Sequence, residues 1–180
     1  MHKPVSRLIF ETGDGHYRLA IAPHMVSAHI VKPYTRWEEF RPRIENALNT
    51  IPQVVTTPEI ERIGVRYINH IDLPDAEEIE LDDYFNVGPR GPVDEPMTAF
   101  VHRTEYTSRD GKYRTITMFA SAPRQVGQKE LRFLLDVDAM SSGDAPIAFG
   151  DAMATVDILH QREHDVFEKS ITDKSRELFS

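Results

Sequence analysis

The chain of 180 residues contains no cysteine, which excludes disulfides, thiolate metal ligands and a cysteine nucleophile together. Long apolar runs are absent too: nothing approaches the ~18 residues that a membrane helix requires. The opening "MHKPVSRLIFETGDG" turns polar too early to read as a secretion signal. Basic charge is in short supply, with 21 Lys and Arg against 29 Asp and Glu. A net charge of −8 argues against general affinity for nucleic acid, which calls for a basic stripe. Also missing are a glycine-rich phosphate loop, a P-loop lysine and a G-x-S-x-G elbow, so kinase, dinucleotide-binding and serine-hydrolase chemistries have no support. These absences lead to the expectation of a cytoplasmic protein with no membrane contact and no cofactor.

What is present is concentrated. Residues 72–95, "DLPDAEEIELDDYFNVGPRGPVDE", hold nine acidic side chains and one basic one. The rest of the chain is then neutral, with 20 charges of each sign. This Pro-rich loop, spanning about 72–97, reads first as a solvated surface with one helical turn near "LDDYF". It is also the natural place for a protein partner to attach.

Around the loop the pattern alternates between strand and helix periods. "VSRLIFETGDGHYRLAIA" reads as a hairpin turning at Gly13-Asp14-Gly15, and "HMVSAHIVK" as a third strand. Trp37, Phe40, Ile44, Leu48 and Ile51 recur at helical spacing behind a Thr35–Glu38 capping box. Pro42 falls inside this helix and is expected to kink or restart it. "IERIGVRYINHIDL" alternates as a strand with Arg62, Arg66 and His70 on one face and Val65, Tyr67 and Ile71 on the other. Two strands flank the Asp110-Gly111 turn, a further one follows in "KELRFLLDVDAM", and a helix runs from about Ala152 to about Lys169. The order predicts one α+β domain over 1–180: a curved antiparallel sheet with two long helices packed on one face. Each group of strands ends on a helix, a plan that admits a degenerate duplication.

The last helix contains "HQREH", in which His160, Glu163 and His164 spell the H-x-x-E-H signature of inverted zinc peptidases. Two histidines one helical turn apart can present nitrogens to one metal ion, with a glutamate as general base. At 100° per residue, however, His160 and Glu163 lie within about 40° of Val156, inside the apolar stripe, and His164 about 80° away. No glutamate stands far enough downstream to complete the zinc shell. Packing is therefore the expected role of this face, with His160, Glu163 and His164 as the metal alternative.

Asp136 and Asp138 share one strand face, about 6.8 Å apart by strand rise. They could hold a cation or serve as acid and base. If the strand carrying Arg66 lies alongside, Arg66 and Asp136 instead form a structural ion pair, and this reading is favoured. The candidate ligand- or partner-binding residues are Arg66, Asn69, Asp136, Asp138 and His160, with no catalytic assignment.

Three stretches together, "RIGVRYINHIDL", "FLLDVD" and "LHQREHDVFEKSIT", with "YTRWEEF" upstream, resemble a sporadically distributed family of uncharacterised bacterial proteins. The resemblance runs from about Leu8 onward and covers Arg66, Tyr67, Asn69, Asp136, Asp138, His160, Phe167 and Glu168. It implies an origin in accessory, defence or toxin–antitoxin loci and supplies no catalytic residues. Relatives of that kind carry another β-rich segment before Leu8, so this chain is expected to expose a sheet edge, which favours dimerisation or strand addition.

The sequence thus points to a non-enzymatic binding or regulatory protein of unidentified partner. The alternative is a metal-dependent hydrolase or small-ligand enzyme built on the Arg66, Asn69, Asp136, Asp138 and His160 cluster. That alternative requires the five side chains to meet in one pocket.

Overall fold

A computed structural model describes residues 7–32, 34, 36–53, 59–74, 80–89, 97–122 and 131–179. The chain forms an α+β structure that divides into two compact units, Met1–Pro58 and Glu59–Ser180, where the sequence suggests a single domain. Among the described residues, no helix is long and apolar enough to cross a membrane.

In the first unit, β1 (Leu8–Glu11), β2 (Tyr17–Ala22) and β3 (Met25–Ile30) form an antiparallel sheet in that order. The β1–β2 turn closes because Asp14 accepts hydrogen bonds from the Thr12 hydroxyl and the His16 amide, while Gly15 takes a φ of 69°. Helix α1 (Trp37–Thr50) follows. Its Phe40 ring stacks on Tyr17 at 6.4 Å, and the Arg43 guanidinium lies 3.6 Å from the centre of the same Tyr17 ring. The helix runs unbroken through Pro42, where the sequence suggests a kink or restart; the proline leaves the Glu38 carbonyl without its usual amide donor. Thr35 of the expected capping box lies outside the described residues, and the residue at the cap, Arg36, makes no side-chain hydrogen bond there.

The second unit holds β4 (Gly64–Leu73), β5 (Val101–Thr107), β6 (Tyr113–Ser121) and β7 (Leu131–Ser141), ordered β4-β7-β6-β5 and antiparallel throughout. Helices α2 (Leu81–Tyr84), α3 (Ala152–Ser170) and α4 (Asp173–Arg176) complete it. α3 packs on β7 and β4, the two strands richest in β-branched and aliphatic residues on the facing side. The α+β class with antiparallel sheet and helices is as expected, and the strands lie in two sheets, one in each unit. An aromatic contact of α1 falls on β2 of the sheet before it, and among the described residues the strands of the second unit pair with one another. Each unit still ends its strands on a helix, the plan behind the suggested duplication.

Register fixes which side chains share a face. Tyr67, Val137, Thr117 and Thr104 form one cross-strand row, and Asn69, Leu135, Phe119 and His102 the next, both beneath α3 and the core. Arg66, Asp138, Ile116 and Glu105 form a row on the opposite face. The core centres on Phe85, Phe119 and Phe133, with ring centroids 4.5–5.8 Å apart, surrounded by Ile71, Leu73, Leu135, Val137 and Ile171.

Candidate functional site

The five candidate binding residues lie on both sides of the second sheet, because side chains alternate along a strand. Arg66, Asp136 and Asp138 project from the face opposite α3. The Arg66 Nε donates to Asp136 Oδ1 at 2.9 Å and its Nη2 to Oδ2 at 2.5 Å, a bidentate pair of the kind the sequence favours. Asp136 is 5 % exposed, whereas the Arg66 side chain stands half in solvent. Burial, with the Asp136 charge beside it, raises the Asp138 carboxyl above the ordinary aspartate range, against the opposing pull of Arg66 and Arg62. A ladder of further ion pairs, Arg103–Glu105 and Arg114–Glu105, continues across β5 and β6 on this face. The two arginines hold the Glu105 carboxyl below its usual range through hydrogen bonds, Arg114 first.

Asn69 and His160 stand on the other side. The Asn69 amide donates to the Leu135 carbonyl at 3.2 Å, so its polar end is used within the sheet. The half-buried His160 ring rests 5.8 Å from the Tyr67 ring, with Tyr67 Oη 3.4 Å from His160 Nδ1. A full sheet thickness separates this pair from Arg66 and Asp136. The single pocket required by the enzyme alternative is not formed by these five residues, and the reason is strand parity: Asn69 is an odd number of residues from Arg66.

Along α3 the buried positions are Ala152, Val156, Leu159, Glu163 and Ser170, at steps of four, three, four and seven. The histidine-bearing side thus packs inward in part, as expected, but Glu163 goes deeper than His160, and His164 is exposed. The His160 and His164 rings lie 6.3 Å apart. Among the described residues no group of three or more His, Asp or Glu side chains is arranged around a common metal position. Glu163 is 3 % exposed and meets no cation or hydrogen-bond donor among the described residues; burial alone pushes its carboxyl up to about 8. Among the described residues two polar atoms are buried without a hydrogen-bond partner, Thr115 Oγ1 and Arg162 Nε, the latter on a side chain whose guanidinium lies 5.2 Å over the Tyr113 ring.

The acidic stretch is described at residues 72–74 and 80–89. Its helical turn α2 is fastened to the end of the chain. Ser175 Oγ donates to the Tyr84 carbonyl, Thr172 Oγ1 to the Asp83 carbonyl, and the Asn86 amide to the carbonyls of both Lys169 and Ile171. Phe85 bridges Ile171 backbone to backbone, and Lys174 pairs with Asp83. Glu80, Asp82 and Asp83 remain exposed on this anchored base. Beside them Asp82, Phe85, Asn86, Val87, Gly88 and Pro89 line a shallow depression of about 270 Å³. Sequence reasoning missed the role of Asn86 and Ser175. An asparagine two residues beyond the "LDDY" turn carried the only hint, since asparagine often hydrogen-bonds free carbonyls at helix ends.

Compared with protein-family models, curated proteins and solved structures, the chain matches none.

Proposed function

We propose that the chain is a non-enzymatic binding or regulatory protein whose partner-facing surface is the acidic stretch 72–95. The observation that carries this reading is the anchoring of α2: its carboxylates are exposed while its Asp83 and Tyr84 carbonyls accept from Thr172 and Ser175, and Asn86 just beyond it donates to the Lys169 and Ile171 carbonyls. A charged surface fixed in advance loses less entropy on association than a free loop would. With nine acids to one base, the stretch suits a basic protein. The resemblance to a family of accessory bacterial loci agrees with a regulatory role of this kind.

The test is affinity capture from the source cells at low and high salt, with the wild-type chain and a variant carrying Glu80→Gln, Asp82→Asn, Asp94→Asn and Glu95→Gln. A set of basic proteins held at low salt and lost with the variant is the expected result. An identical captured set from both chains overturns the proposal.

A further inference from the structure

The outer edge of β1 carries its own complement. All four residues of the strand are exposed, and among the described residues β1 pairs with β2 alone. Hydrogen-bonding direction alternates along an antiparallel strand. The Thr12 amide donates to Tyr17 O at 3.0 Å, so Thr12, Phe10 and Leu8 aim their backbone groups at β2. Arg7, Ile9 and Glu11 therefore aim theirs at the edge away from β2, which among the described residues no other strand pairs with.

The side chains follow the same parity. Arg7, Ile9 and Glu11 share the face on which Glu11 pairs with Arg18 at 3.1 Å; Leu8 and Phe10 share the other with Leu19 and Ile21. Read outward, the edge is Arg-apolar-apolar-apolar-Glu. A two-fold axis through Ile9 turns that string onto itself, setting Arg7 opposite Glu11 of the second copy and Ile9 opposite Ile9.

We propose that β1 is a homodimer edge, pairing antiparallel with β1 of a second copy about Ile9. In this register the residues whose N–H and C=O groups face outward, Arg7, Ile9 and Glu11, are the residues brought opposite one another. Each Glu11 then lies between Arg18 of its own chain and Arg7 of the other. On the reverse face Leu8 meets Phe10 of the second copy, joining apolar side chains that are each about half exposed in the single chain: Leu8 51 %, Phe10 55 %. A shift by one residue breaks both the backbone match and the face match, and a shift by two loses the charge pairs. The interface is isologous, as two-fold dimers require.

The test uses the full chain in sedimentation velocity over a range of concentrations. Wild type is expected to pass from monomer to dimer. Arg7→Glu and Glu11→Arg, each placing like charges opposite one another twice, are expected to weaken self-association about tenfold or more. An equimolar mixture of the two restores it. In the mixed pair one strand is acidic at both positions 7 and 11 and the other basic at both, so each cross-strand contact again joins opposite charges. As the chain has no cysteine, Ile9→Cys supplies a single thiol. Opposed residues of a hydrogen-bonded pair stand about 5.5 Å apart at Cα, within disulfide reach. Mild oxidation is expected to link Ile9→Cys at least ten times faster than Val101→Cys, a 72 % exposed position on the other unit. A wild-type chain that stays monomeric at every concentration, as when the edge takes a strand from another protein, overturns the proposal. So do single variants that associate like wild type, a mixture that does not recover, or equal linking rates at positions 9 and 101.

Discussion

Leu159 and Ile158 are neighbours on α3, yet one is fully buried and the other 43 % exposed. The pair measures how strictly the helix presents one side to the sheet. Leu159→Ala is expected to lower stability by about 2–5 kcal/mol, the range for a truncated core leucine. Ile158→Ala should change it by less than about 0.5 kcal/mol. Urea unfolding of the two variants checks this, and equal losses would mean that α3 is turned differently.

Glu163 gives the protein a distinct alkaline weakness. Its carboxyl titrates near 4.5 when unfolded and is pushed up to about 8 by burial in the folded chain. The folded state therefore holds the extra proton between these values, so this group's contribution is complete below pH 4.5 and drains away as pH rises toward 8. The difference in unfolding free energy between wild type and Glu163→Gln should slope by up to about 1.4 kcal/mol per pH unit across that window. The glutamine variant is expected to be the more stable chain at pH 8. A pH-independent difference would show that Glu163 has found a partner for its charge.

The bidentate Arg66–Asp136 pair is half wet, and its value is limited accordingly. Arg66→Ala leaves a carboxylate buried, Asp136→Ala leaves a guanidinium that solvent can reach. Both are expected to destabilise, by about 1–3 kcal/mol, with the arginine loss the larger. A double-mutant cycle by thermal denaturation isolates the coupling, and a coupling near zero would reduce the pair to a contact with no energetic role.

Asn86→Ala removes the donor that serves the Lys169 and Ile171 carbonyls, where α3 ends. A loss of about 1–2 kcal/mol is expected. Amide hydrogen exchange should quicken around residues 170–176 while β7 stays protected. Uniform acceleration over the whole second unit would contradict a local latch.

Much of the architecture was legible in the chain because period and turn chemistry spoke together. The hairpins at Gly13–Gly15 and Asp110-Gly111 were marked by their turn residues, and both turns contain a glycine at positive φ, Gly15 and Gly111. The Arg66–Asp136 pair follows from alternation once β4 and β7 are neighbours. What local pattern does not encode is pairing between distant segments. Nothing in "GVRYINHIDL" announces β7 as its partner rather than β3, so the division of the strands into two sheets is not written in local pattern. The separation of Asn69 from Arg66, by contrast, needs no knowledge of pairing: they stand three residues apart on β4, and an odd step along a strand reverses the direction of a side chain. Glu163 is visible on the apolar stripe, but whether its carboxyl meets a partner depends on what the sheet brings beneath it; among the described residues it meets none.

The strand order β4-β7-β6-β5 also has a kinetic meaning. β5, β6 and β7 are joined by successive connections and can zip as a meander, whereas β4 must close across the acidic stretch and both intervening strands to reach β7. Loop closure of that length is entropically slow, so folding of this unit should be governed by the arrival of β4. On the ribosome β4 is made before β7, and until β7 emerges its apolar side waits uncovered, the interval in which a nascent chain of this kind is most open to misassociation.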